Sequence, residues 1–314
     1  MTLGESAVYN IDSKQVATII GIYRRYDVMH RLIIVEGLPC SGKSTTSKYI
    51  ADSIGAKFYD EGSGNHPADY EFHSFIKNKE LCSFSPEEQV LIKQNAVSKA
   101  DGYIISLSLF SGELFDKLLQ HKIYDFLPWE TEKPLMLDKW TKFVHAAESD
   151  NQYVFNCVLL QNPMCETMMR FGFDIQMSSE YITSICNIIR PMNPFIVYLH
   201  SDNIRNAIEK AVSERGTDWL NSVIDYHCNG AYGKVEHLTG FDGYIEALEE
   251  RQRRETEILR GLNVQYMIIN NPNENWNKTY SRIIQELNTA KETFISRKTE
   301  RFCIVYAENK YGKL

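Results

Sequence analysis

The sequence predicts an α/β fold, with a parallel sheet between two layers of helices. Three observations carry this. Residues Leu32, Ile33, Ile34 and Val35 form an unbroken β-favouring run, as a strand buried on both faces requires. Similar short runs recur downstream, at Tyr153–Leu160, Phe195–Leu199 and Val264–Ile269, each separated from the next by segments with helical character. Strands spaced by helices cannot close as hairpins, so they pair in parallel with the helices packed on both faces. Finally, the first run leads straight into a glycine-rich turn, Gly37 to Gly42, and then into a helix.

The elements follow in order. After Lys43 the apolar positions Tyr49, Ile50 and Ile54 fall near helical spacing, and Gly55 is placed to end that helix. Lys57–Asp60 reads as a short second strand closing on the acidic pair Asp60-Glu61, followed by a turn-rich loop over 62–69. Pro86–Lys99 reads as a helix with Ser85 as N-cap and Val90, Leu91 and Val97 on one side. Tyr103–Leu109 is a strand or the start of a buried helix. Leu135–Ala147 and Ser178–Ile189 are helical, and Tyr153–Leu160 stops at Gln161-Asn162-Pro163. A helix runs from Asp202 to about Glu214. Residues 215–240, with Gly216, Gly230, Gly233 and Gly240, read as a mobile polar loop with some helix. Tyr244–Arg260 is a charged helix in which Glu249–Arg253 and Glu250–Arg254 have the favourable i,i+4 order, and Trp276–Leu287 is a helix packing back on the sheet. One domain over 31–290 accounts for these elements. Residues 1–30 form an N-terminal extension and 291–314 a C-terminal tail, in which Phe302–Tyr306 is a candidate edge strand.

Composition sets bounds. Hydrophobic residues make up 43% of 314, enough for a sizeable core. Net charge is −7 and no lysine or arginine run stands out, which argues against a nucleic-acid polymer as partner. The run Val16–Tyr23 is too short to span a membrane, and Glu5 and Asp12 precede it where a signal peptide would be basic. The seven cysteines are odd in number and contain no CxxC, so neither a disulfide framework nor a zinc site is expected. A cytoplasmic protein without membrane association follows. A homodimer is left open.

The chemistry is concentrated at Gly37-x-x-x-x-Gly42-Lys43-Ser44, the full phosphate-binding P-loop pattern, or Walker A. Each residue type has a reason. The glycines let the backbone curl so that the N–H groups of Pro39's neighbours, Cys40, Ser41, Gly42, Lys43, Ser44 and Thr45, face phosphate oxygens. Lys43 carries a positive charge to the β- and γ-phosphates. Ser44 offers its hydroxyl to Mg²⁺, and the following helix directs its positive end at the anion. A nucleoside triphosphate, ATP with Mg²⁺, is the expected ligand.

From the P-loop onward the order of elements resembles the P-loop kinases of small molecules, in particular the thymidylate kinase and deoxynucleoside kinase group. The resemblance runs through Asp60-Glu61 after the second strand, through Phe195–Leu199 and its helix, through Glu214-Arg215-Gly216 at the entry to a lid, and through the late strand with the loop Asn270–Asn275. It implies a P-loop NTPase three-layer fold with a helical lid, and transfer of the γ-phosphoryl group from ATP to a small-molecule acceptor. That acceptor is a nucleoside or nucleotide on the resemblance, with a sugar or antibiotic hydroxyl as alternative. A regulatory nucleotide-binding ATPase is the competing class. The resemblance also implies that Glu61, with Asp60 beside it, orients or deprotonates the acceptor hydroxyl. Arg215 first and Arg205 second would then neutralise developing charge from the lid. In one place the pattern departs. The run Tyr153–Leu160 ends in Gln161-Asn162, without the carboxylate expected there. His66, Asp69, Glu71 and His73 form a polar cluster whose spacing matches no standard metal site.

Overall fold

The computed structural model describes residues 29–288. Five parallel strands form the central sheet: β1 (Leu32–Gly37), β2 (Lys57–Tyr59), β6 (Tyr153–Asn156), β7 (Phe195–His200) and β8 (Gln265–Asn270), in the order β2-β6-β1-β7-β8. Between β2 and β6 the chain builds a second, antiparallel sheet of β3 (His73–Lys77), β4 (Val97–Ser98) and β5 (Gly102–Ser106), in the order β3-β5-β4. The helices are α1 (Lys43–Ile54), α2 (Pro86–Asn95), α3 (Gly112–Leu119), α4 (Trp129–Ala146), α5 (Ile175–Ile189), α6 (Ile204–Arg215), α7 (Thr217–Cys228), α8 (Gly240–Gly261) and α9 (residues 276–288).

All six residues of β1 are buried. Successive side chains of a strand point to opposite faces, so Leu32 and Ile34 join one core with Phe155, Trp140 and Tyr181 beneath α4, α5 and α8. Ile33 and Val35 join the other core with Val154, Val197 and Ile50, beneath α1 and α9. Both faces of the sheet are therefore covered, which is the predicted three-layer arrangement. β1 pairs with β6 on one side (Ile33 with Val154) and with β7 on the other (Ile33 with Phe195). The chain leaves β1 towards one edge of the sheet and later crosses to the other. The crevice at the carboxyl end of β1 is thus the place where a sheet of this kind holds ligands.

Several expectations change in detail. The 86–99 helix ends at Asn95. Its Ser85 cap is present as a full capping box with Glu88, but Val90, Leu91 and Val97 are exposed, and Ile92 is the side chain that enters the core. The ambiguous 103–109 segment is the strand β5 followed by a single turn. No helix among the described residues is long and apolar enough to cross a membrane. The largest change falls at 215–240. The expected loop is α7 and a short helix Ala231–Val235, with Leu220, Val223 and Ile224 packed against the main core. Their i, i+3, i+4 spacing was the available signal, and glycines at the helix ends, such as Gly216 at φ +87°, masked it. On α8, Arg254 pairs with Glu250 as expected, whereas Arg253 turns to Glu250 and Glu257 rather than to Glu249. The candidate edge strand Phe302–Tyr306, and the extension up to residue 28, lie outside the described residues.

Candidate active site

Gly37 sits at φ +144°, and a Cβ there would lie 2.6 Å from the Leu199 carbonyl oxygen of β7. Gly42 sits at φ +88°, and a Cβ there would lie 2.4 Å from the indole of Trp276 at the start of α9. Only glycine fits both the backbone conformation and the space. Trp276 stacks on Tyr280, and Tyr280 on Tyr49 of α1, so the far end of the domain grips the helix that the loop launches. Cys40 also adopts a left-handed backbone, φ +66°, which costs a side-chain-bearing residue some strain. Lys43 is buried, and its Nζ donates to the Leu38 carbonyl oxygen at 2.8 Å, folded inside its own loop.

The carboxyl end of β6 supplies a residue that the sequence did not single out. The strand stops at Asn156, because Cys157 turns to φ +50°. The Asn156 side-chain amide donates to Ser44 Oγ at 3.0 Å and to Asp60 Oδ1 at 2.6 Å. Asn156 thus occupies the place where a carboxylate was expected at Gln161-Asn162, five residues too late. Its own Oδ1 is buried without a partner. Asn156 Nδ2 thus gathers Ser44 Oγ and Asp60 Oδ1 beside the loop, and these two oxygens are of the kind that a hard divalent cation such as Mg²⁺ takes. The second strand ends at Tyr59, one residue short of the expected Asp60, so the pair Asp60-Glu61 lies in the turn beyond it, and the turn sends the two side chains to different partners. Asp60 turns to this cluster, while Glu61 accepts a hydrogen bond from Gln161 Nε2 at 2.8 Å.

Glu36 explains the abrupt end of β6. It is fully buried, and its carboxylate accepts the N–H groups of Leu159, Leu160 and Gln161 at 2.7, 3.0 and 3.1 Å. The strand-like apolar run 157–160 is thereby wound into a turn beneath the loop. Burial outweighs these hydrogen bonds and pushes Glu36 up from 4.5 to about 7. A group that binds its proton more tightly in the fold than in the unfolded chain favours the fold below its ordinary pKa, and loses that contribution as pH rises through the shifted value. We expect the unfolding free energy to fall between about pH 4.5 and 7 by on the order of 3 kcal/mol more in the wild type than in Glu36→Gln. Urea titrations across this range check it. Parallel pH profiles for the two proteins would return Glu36 to the ordinary carboxylate range.

Two cavities flank the loop. On one side Leu38, Pro39, Cys40 and Ser41 face His200, Ser201, Pro272 and Asn273 in the loops after β7 and β8. On the other side a cavity of about 240 Å³ is lined by Glu61, Glu71, Gln161, Asn162, Cys165 and Tyr226, among others. Tyr226 belongs to α7, so the helical segment of 217–228 forms part of the roof. Between the two cavities, the buried Cys157 thiol is pushed far up by burial and by Glu61, while Lys43 pulls it down, so Glu61 and Lys43 lie around the same thiol.

The arginines separate clearly. Arg215, the last residue of α6, stacks over Trp219, and its charge acts on the Cys40 thiol, where burial is the larger, upward influence. Arg205 is engaged by Asp242 at 2.6 Å and stacks on Phe241. Arg170 is held between Glu132 and Glu166 at 2.8 and 2.6 Å. His66 is buried and His73 half-buried, both pushed down, to about 3 and about 4, chiefly by desolvation, and no group of three metal-ligating side chains occurs among the described residues. Of this polar cluster, Glu71 lines the 240 Å³ cavity and Asp69 is bound behind it by Tyr124 and Asn162. Six cysteines are free thiols, Cys40 and Cys157 among them, and Cys303 lies outside the described residues.

No family model matches the chain, and no curated protein matches it. Among solved structures it is similar to deoxyadenosine kinase from M. mycoides with bound dATP, at 15% identity and TM-score 0.39, over 82% of this chain and 99% of that one. A sugar kinase from Janibacter gives 13% and 0.38, over 83% and 96%. Thymidylate kinase from Candida albicans gives 11% and 0.36, over 84% and 94%. Overlaps this loose leave the function to be read from the site itself.

Proposed function

We propose that the protein is a kinase that uses ATP and Mg²⁺ to phosphorylate a hydroxyl group of a small molecule. The observation that carries this is the Ser44–Asn156–Asp60 cluster under the P-loop, with Glu61 turned the other way onto the wall of an adjoining cavity. A hydrolase acting only on water has no use for a second cavity of about 240 Å³ with a carboxylate on its wall.

In this reading the loop amides and Lys43 hold the donor phosphates. Ser44 and Asp60, held together by Asn156, would hold Mg²⁺, which would supply charge neutralisation when bound. The base of the nucleotide lies towards Pro272 and Asn273, and the acceptor lies in the cavity of Glu61. Glu61 fixes the acceptor hydroxyl and takes its proton as the new P–O bond forms and the bond to ADP breaks. The α7 roof excludes water, which would otherwise compete as acceptor. Six free thiols among the described residues support a cytoplasmic setting.

Arg215 is the described cation beside the loop that no carboxylate engages, and it would stabilise charge that develops on the transferring group. The test of the function is ADP release measured with and without added acceptors, nucleosides and sugars first. Release that rises sharply with one acceptor supports the kinase. Release that no acceptor changes marks an ATPase. With that acceptor, Arg215→Ala should lower kcat by about 10- to 100-fold and change ATP affinity by much less, because its contact strengthens in the transition state. Full activity in Arg215→Ala would move the role to another residue, Arg205 first.

A further inference from the structure

We infer that the acceptor is cationic: a hydroxyl compound bearing a protonated amine and no phosphate or carboxylate. This rests on the reading of the Glu61 cavity as the acceptor site, and two independent observations carry it.

The first is charge. Glu61, Glu71, Asp125 and Glu166 line the cavity, and Lys122 is the single cation among its lining residues. The cations along this wall are engaged, and Lys139, which lies over the Tyr70 ring and acts on Asp69, is not among its lining residues. Lys122 is bound to Asp125 at 2.7 Å. Arg170 behind the wall is shared by Glu166 and Glu132. Arg251, next to Cys165, lies 3.1 Å from Glu255. Against these, Glu61 is met by the Gln161 amide and the Cys157 thiol, and Glu71 by the Gly62 N–H at 2.6 Å, none of them a cation. Asp69, just behind, takes hydrogen bonds from Tyr124, Asn162 and the Tyr70 N–H. None of these three carboxylates has a cationic partner within ion-pair distance among the described residues. A phosphate placed here would meet three uncompensated negative charges and no free positive one, and at low local dielectric that repulsion is strong.

The second is hydrogen-bond polarity. Gln161 is 7% exposed, lines the cavity, and spends its N–H₂ on Glu61. Its Oε1 is buried with no partner. A buried orphan acceptor is costly unless a ligand supplies a donor. Carboxylates and an unpaired amide oxygen all accept, so the ligand that completes this wall must donate, as an ammonium group and a hydroxyl do.

The experiment compares matched acceptors that differ mainly in charge: glucosamine, glucose and glucose 6-phosphate, and 5′-amino-5′-deoxythymidine, thymidine and thymidine 5′-monophosphate. Binding is measured by calorimetry on the full chain at neutral pH, so the ranking does not depend on turnover. Within a series that binds, the amine should bind about tenfold or more tighter than its neutral parent, and the phosphate more weakly than both. Glu71→Gln, which keeps an oxygen for the Gly62 N–H, should shrink the preference for the amine and leave affinity for a non-hydrolysable ATP analogue unchanged. A phosphate that matches or exceeds its neutral parent, amines no tighter than the parent, or no binding by either amine would overturn the inference. Affinity for the ATP analogue is read separately. Its loss would count against the kinase reading, and its retention with the wrong acceptor order would count against this inference alone.

Discussion

Lys43→Ala should abolish phosphoryl transfer and weaken binding of a triphosphate by about 10- to 100-fold, the scale of a hydrogen bond to a charged group. The fold should survive. Lys43 makes one hydrogen bond in the described structure, to the Leu38 carbonyl oxygen of its own loop, and no carboxylate depends on it. Removing the side chain therefore strands no buried countercharge, which is the usual source of large losses at buried lysines. Calorimetry with a non-hydrolysable ATP analogue, alongside circular dichroism, separates the two effects. A folded Lys43→Ala protein with unchanged affinity would remove the P-loop from the mechanism.

Glu61→Gln should lower kcat by about 10²- to 10⁴-fold, the range of general-base assistance, with donor binding nearly intact. Its neighbour provides the control. Asp60 is tied through Asn156 to Ser44, so Asp60→Asn should raise the Mg²⁺ concentration needed for half-maximal rate more than it lowers the rate at saturating metal. Steady-state kinetics of both variants across a Mg²⁺ titration reads the division of labour directly. A crippled Asp60→Asn beside a mild Glu61→Gln would reverse the two roles, and two mild variants would make the acidic pair structural.

The parts of the site that could be read in the sequence are those whose signal is local. The P-loop needs its residues consecutive, so Gly37 to Thr45 identify themselves. Asp60-Glu61 follow because the second strand is short and its end is marked. Strands β7 and β8 were visible as apolar runs for the same reason. What could not be read depends on residues far apart in the chain. Glu36 looked like one polar residue after a strand, and nothing near it indicates that it captures three N–H groups between Leu159 and Gln161. Without that capture, Tyr153–Leu160 reads as one long strand, the expected carboxylate position shifts to Gln161-Asn162, and Asn156 is overlooked. The antiparallel sheet of residues 73–106 was missed because its strands are brief and its helix α2 exposes the apolar side chains that suggested a buried face. In α7 the abundance of glycine at the ends outweighed a regular interior.

Trp276 over Gly42 bears on how the protein comes into being during synthesis. The motif is finished when the ribosome has made residue 45, yet the indole that closes over Gly42, and the Leu199 carbonyl that fits against Gly37, are made much later. Non-local contacts of this kind form late and slowly, since the intervening chain must be gathered first. A nascent chain stopped short of α9 would thus display the entire Gly-x-x-x-x-Gly-Lys-Ser signature while still lacking the walls that shape it. In the kinase proposed above, the phosphate-binding loop would therefore reach its final shape only once α9, the last helix among the described residues, has been made.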